Sequence, residues 1–186
     1  MDARSALAIL HSWGFTHKDL EKLFLDWMND PINVLESCLQ WHMIDTPWMT
    51  SDRQSKILEK LQKVDQTKIL HTLREKSIKI IIKWDPYYPE RLATIRQAPY
   101  LLYVRGNLHE EQLMLGVVGS RRNTNYGQKI LESIIPELIR SRAGIVSGGA
   151  YGIDAISHRV TLDQGGYTVS VFGCGVDISY PVSNSR

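Results

Sequence analysis

Three apolar runs in the second half of the chain each stop at small residues. LGVV stops at Gly119-Ser120, AGIV at Ser147-Gly148-Gly149-Ala150, and YTVSVF at Gly173-Cys174-Gly175. The stops lie about 29 and 26 residues apart, and both intervals carry a helical pattern, GQKILESIIPELIRS and GIDAISHRVTLDQ. Strand, helix and strand in repetition give a parallel sheet with right-handed crossovers. Pro136, inside the first of the two helical stretches, is expected to kink or break it.

All carboxyl ends of an open parallel sheet lie on one edge, and ligands bind in the crevice outside them. Glycine lets the backbone take positive φ and lets a ligand come close. Successive outward N–H groups form an anion nest, and helices starting at that edge add their positive ends. The three loops together predict an anion or phosphate site with little side-chain bulk, built from Gly119, Ser120, Ser147, Gly148, Gly149, Gly173 and Gly175. Arg121 follows directly and can bind a phosphate bidentately or stack on a base. Arg122 is a second candidate or a solvent-facing cation. Tyr126 and Tyr151 flank the glycines, either as stacking surfaces for bases or as rim packing. Asp154 and His158 are four apart at a helix start and share a face. They read either as an acid–base pair or as braces of the loop; no nucleophile accompanies them, which favours bracing.

Several ligand classes drop out. GSRRNTNYG is not G-x-G-x-x-G, and the second strand ends in Ser147 where a dinucleotide site needs an acid. The phosphate loop G-x-x-x-x-G-K-[ST] is absent, so hydrolysis of a nucleoside triphosphate is not expected. GIVSGG is not a G-x-S-x-G nucleophile elbow. The two cysteines, Cys38 and Cys174, are far apart and make no metal spacing. No metal and no cofactor is expected.

The first 75 residues read differently. Leu7, Leu10, Phe15, Leu20, Leu23, Phe24 and Trp27 recur at helical steps once Gly14 breaks the run. Thr16 with Asp19 makes a weak capping box, and Asp30 before Pro31 is a cap followed by a first-turn proline. SDRQSKILEKLQKVD adds another amphipathic stretch. The stripe predicts a small bundle of four or five short helices whose Leu and Trp residues are its core, with Cys38 a buried thiol. After it, IKIII and APYLLYV read as strands around a two-proline turn, DPYYPERL. Charge follows the same division: residues 1–50 carry a net −4, 51–100 a net +5, and 101–186 a net +1. The expected organisation is therefore a helical domain over 1–75 and an α/β domain over 76–186. MDARSALAIL is no charged leader with a long apolar run, and no run is long enough to span a membrane, so a cytoplasmic protein is expected.

LGVVGSRRNTNYG, GIVSGGAYGIDAISH and TVSVFGCGVDISYPVSN resemble the signature blocks of the DprA/Smf DNA-processing family, and DPYYPERLATIRQAPYLLYVRGNL resembles the block upstream of them. The match runs over about residues 84–184 with four blocks in order. The resemblance implies a Rossmann-like domain behind a sterile-alpha-motif-like helical head. It implies a non-enzymatic single-stranded DNA-binding protein that protects incoming strands in natural transformation, helps load the RecA recombinase and forms homodimers. By the same resemblance Gly119, Ser120 and Arg121 stand in the G-[ST]-R phosphate motif, and Ser147, Gly148 and Gly149 in the second glycine loop. Tyr151 stands where members often have a basic residue, exchanging a phosphate contact for stacking. The family's domain continues past the Y-P-x-x-N block; this chain is expected to be a piece of a longer protein or a short relative, with part of its sheet uncovered.

Two other functions fit parts of the sequence. Phosphoribohydrolases share nucleotide-binding folds of this kind, but SGGAYGID keeps only two glycines of their P-G-G-x-G-T-x-x-E block and lacks its Glu. A protein-docking role for the acidic head would use Trp13, Trp27, Trp41 and Trp48.

Overall fold

The structure is a computed structural model that describes residues 2–26, 30–41, 48–109 and 113–178. It divides into two compact units, Met1–Gly106 and Asn107–Arg186.

The first unit contains five helices: α1 (Ala3–Ser12), α2 (His17–Asp26), α3 (Pro31–Trp41), α4 (Ser51–Lys63) and α5 (Gln66–Glu75). Their starts follow the side chains. Asp2 accepts from Ser5 N at 2.8 Å, Asp30 from Ile32 N at 2.9 Å, and Asp65 from Thr67 N at 2.8 Å, each satisfying an orphan first-turn amide. At α2, Asp19 accepts from both the amide (2.6 Å) and the hydroxyl of Thr16, and also pairs with Arg53 of α4. Gly14, at φ +99°, turns the chain between α1 and α2. The stripe read from the sequence is the core: Leu7, Leu10, Trp13, Phe15, Leu20, Leu23, Phe24, Leu35 and Cys38 are all buried. Burial pushes the Cys38 thiol up to about 12, so it is unreactive at neutral pH. Trp27 lies outside the described residues, as does the side chain of Trp41.

Strands β1 (Ile78–Ile82) and β2 (Leu101–Arg105) follow, with a short helix, α6 (Glu90–Ala93), in the two-proline stretch between them. They pair antiparallel, Ile78 opposite Arg105 and Ile82 opposite Leu101. Ile82 is buried within the helical core, and Ile80, Tyr100 and Leu101 pack against it. These strands therefore share the helices' core rather than the parallel sheet, and the first unit ends at Gly106 where the sequence suggested a division at 75.

The second unit holds the parallel sheet. Its elements are β3 (Met114–Gly116), α7 (Asn125–Arg140), β4 (Gly144–Ser147), α8 (Ile153–Asp163) and β5 (Thr168–Ser170), with sheet order β3-β4-β5. Leu115 lies opposite Ile145, and Ile145 opposite Thr168. Strand side chains alternate between faces. One face, with Leu115, Val117 and Ile145, packs on Leu131, Ile135, Leu138 and Ile139 of α7 and on Ile156 and Val160 of α8. Helix α7 runs unbroken through Pro136, so of the expected kink or break the break does not occur. Proline forfeits one hydrogen bond to the preceding turn, and the buried Ile135 and its neighbours hold the helix across that gap. No helix among the described residues is long and apolar enough to cross a membrane.

Candidate functional site

The carboxyl ends of β3, β4 and β5 bear the three small-residue loops. Gly119, Ser120, Arg121 and Arg122 follow β3; Gly148, Gly149, Tyr151 and Gly152 join β4 to α8; Gly173 and Gly175 follow β5. Parallel pairing puts all three at one sheet edge.

The first two loops interlock. A Cβ on Gly119 would come within 2.6–2.8 Å of three Ile153 side-chain atoms. At Gly152 φ is +79°, and a Cβ there would overlap the Ser120–Arg121 peptide. The Ile153 amide, in turn, donates to the Ser120 carbonyl at 3.2 Å. The Ser120 hydroxyl closes a local turn: it donates to Arg122 O at 2.9 Å and accepts from Arg122 N at 3.0 Å. Thr124 caps α7 through Gly127 N at 3.3 Å. The Arg121 and Arg122 side chains are exposed, and neither has an ion-pair partner among the described residues. Tyr126, in the first turn of α7, is 74% exposed, and Tyr151, between β4 and α8, is 50% exposed.

The second loop is braced from inside. Ser147 is buried, and its hydroxyl donates across the sheet to Val117 O at 2.7 Å. That hydroxyl is committed to the scaffold, so the anion-binding capacity of this segment rests on its glycines. Asp154 is buried and accepts from Ala150 N at 3.3 Å, and a Cβ on Gly148 would stand 3.0 Å from its carboxylate. The carboxylate thus occupies the inner side of the glycine loop and leaves only the outer side for another anion.

His158 is held from both ring nitrogens. Nδ1 lies 2.7 Å from the Thr168 hydroxyl and Nε2 2.9 Å from the Ser170 hydroxyl. Thr168 donates its only proton to Ile145 O at 2.9 Å. It must therefore accept from Nδ1–H, which leaves Nε2 to accept from Ser170. Burial lowers the imidazole's pKa from its ordinary 6.5, with Asp154 opposing, so the neutral form is favoured. This is the arrangement of a brace between α8 and β5.

The third loop touches the second where a Cβ on Gly149 would meet Phe172 at 2.7 Å and Ser170 at 3.0 Å. Gly173 stands in open space, and a Cβ on Gly175 would meet Asp177 at 2.6 Å. The residues not singled out from the sequence are Gly152 and Ile153. Their one local signal is a glycine immediately ahead of a helix, where a capping side chain is the norm.

Residues 79–186 match the family described as DNA recombination-mediator protein A. The chain belongs to this family. The DprA/Smf resemblance of its sequence blocks is borne out by its relatives. Within the DNA recombination-mediator protein A family, the chain is 42% identical over 103 residues to the DNA processing protein DprA of Streptococcus pneumoniae, covering 55% of this chain and 36% of that protein. It is 33% identical over 136 residues to Protein Smf of Synechocystis sp., covering 70% and 34%. It thus spans about a third of the length of these curated relatives. Its fold is similar to the X-ray structure of S. pneumoniae DprA, with a TM-score of 0.72 and 25% identity, covering 98% of this chain and 62% of the other. A second similar structure describes the single-stranded DNA binding mode of DNA processing protein A from Helicobacter pylori, with a TM-score of 0.50 and 28% identity over 57% of this chain and 47% of the other.

Proposed function

We propose that the strand-end loops of the second unit hold the backbone of single-stranded DNA and do not cleave it. Arg121 and Arg122 supply charge-assisted contacts to phosphates, the outward glycine amides add neutral ones, and Tyr126 and Tyr151 offer faces on which unpaired bases stack. The observation that carries this reading is the pair of exposed arginines, without ion-pair partners among the described residues, on a loop locked to the next strand end. Family membership supports it, and so does the single-strand binding of the H. pylori relative. Asp154 and His158 are braces rather than an acid–base pair, since each is already hydrogen-bonded within the scaffold. In a cytoplasmic protein of the relatives' full length, this unit serves DNA uptake and recombination by protecting single strands and passing them to RecA, as a homodimer.

The test is a fluorescence titration of labelled single- and double-stranded oligonucleotides at two salt concentrations. Single strands bind more tightly, and the affinity falls with salt by a log–log slope of about −0.7 for each phosphate neutralised. Arg121→Ala weakens binding about tenfold with the fold intact. Equal affinity of that variant removes Arg121 from the site, and release of free base from a nucleotide would replace the reading with a phosphoribohydrolase.

A further inference from the structure

Side chains at the site are few, so what aims the arginine loop must be found in the backbone and its supports. Within the β3 loop Gly119 and Ser120 are exposed, and the Ser120 hydroxyl turns back on Arg122. What the loop rests on is Ile153, the first residue of α8. Three side-chain atoms of Ile153 would stand within 2.8 Å of a Cβ at Gly119, and its Cδ1 within 3.1 Å of a Cβ at Gly127 in the first turn of α7. Its amide donates to Ser120 O at 3.2 Å. Gly152, immediately before it, lies against the Ser120–Arg121 peptide. One residue thus touches the loop that carries both arginines, the start of the helix that follows that loop, and the start of the helix after β4. The helix bearing it is fixed in turn by Asp154 to Ala150 and by His158 to Thr168 and Ser170.

We infer that Ile153 is a positioning residue for phosphate binding, acting through Arg121: its branched side chain sets the height of the Gly119–Arg121 backbone above α8. The inference rests on the proposed single-strand reading of the same loops. The contact is apolar on the Ile153 side, and its partners are glycines without side chains. The fit therefore tolerates neither an added methyl on the loop nor a missing side chain on the helix. A loop that shifts by an ångström misplaces a bidentate guanidinium, whose contact depends on direction as well as distance.

The experiment uses the whole chain and a labelled oligothymidylate. Gly119→Ala pushes the loop off Ile153, and Ile153→Gly leaves it unsupported; each is expected to weaken binding about tenfold and to reduce the salt slope by roughly one phosphate contact. The double variant Gly119→Ala with Ile153→Gly removes the side chain that the new methyl would strike, and it recovers affinity relative to Gly119→Ala alone. In an Arg121→Ala background, Ile153→Gly has no further effect. Unfolding followed by circular dichroism confirms that each variant is folded. Wild-type affinity in Ile153→Gly, or an undiminished loss in the Arg121→Ala background, overturns the inference while leaving the single-strand reading in place. Arg121→Ala binding as tightly as wild type removes that reading of Arg121 and the role of Ile153 with it.

Discussion

At Gly152 a positive φ of +79° and the nearness of the Ser120–Arg121 peptide both exclude a side chain. Either alone costs on the order of 1–3 kcal/mol when violated. Gly152→Ala should therefore destabilise the second unit by more than about 2 kcal/mol, read by denaturation followed by circular dichroism. All five tryptophans lie in the first unit, so fluorescence supplies an internal reference that the variant leaves unchanged. His158 makes a pH prediction at the same scale. Its folded pKa is lowered from 6.5, so between that folded value and 6.5 the unfolded chain binds more protons. The stabilisation is complete above pH 6.5, declines as pH falls below it, and levels off beneath the folded pKa. The second unit's unfolding free energy should follow that curve, and His158→Gln should remove this contribution; an unchanged pH dependence in the variant would show that another group is responsible. Among single residues, the sequence made the exposed ones legible. Arg121 and the glycine stops stand out by type and place. The inward uses of Ser147 and the seating of Gly119 on Ile153 are relations between segments far apart in the chain, and no local pattern encodes them.

Elements were more legible where a cap announced them. Asp30-Pro31 and Thr16 with Asp19 mark the starts of α3 and α2, as their hydrogen bonds confirm. IKIII marks β1 to the residue, and the shared helical pattern marks α7 and α8. Pro136 does not end α7, because the helix is held across it by its buried face. The short α6 was hidden in a stretch that proline made look like a plain turn. The capping of α2 has an energetic consequence. Asp19 is buried, which disfavours its charge, yet hydrogen bonds from Arg53 and Thr16 outweigh burial and lower its pKa below the ordinary 3.8. Its contribution is present above pH 3.8 and lost as pH falls through the folded value. Asp19→Ala removes a cap, worth about 1 kcal/mol, together with the partner of a half-exposed Arg53, whose loss is screened by solvent. The expected loss for the first unit is about 2 kcal/mol, read from a tryptophan-fluorescence melt. An unchanged midpoint would mean that water replaces the carboxylate without loss.

At the scale of the molecule, the α/β character and the helical head were readable from the change of period, from helical spacing to strand–helix alternation. The assignment of β1 and β2 was not readable. A five-residue run with four β-branched isoleucines fits an antiparallel or a parallel neighbour equally well, and only the core that receives Ile82 decides which unit owns it. Here that core contains Trp13, Phe24 and Leu35, and Ile80 and Leu101 of the strands, with Tyr100 just before β2, add to its margin. The consequence is a prediction about where the chain can be cut. A piece ending at Gly106 keeps its core closed and should unfold in one cooperative transition on its own. A piece ending at residue 75 loses Ile82 and the three side chains that pack beside it. Full burial of one large aliphatic or aromatic side chain is worth about 1.5–3 kcal/mol, so even partial loss of four such contributions removes several kcal/mol. That is a large part of the roughly 5–15 kcal/mol that holds a typical domain folded. The shorter piece should therefore melt far lower than the longer one, or without cooperativity, in parallel fluorescence and circular dichroism scans. Equal midpoints for the two would mean that the five helices are a self-sufficient domain and that the β1–β2 pair is only an appendage to them.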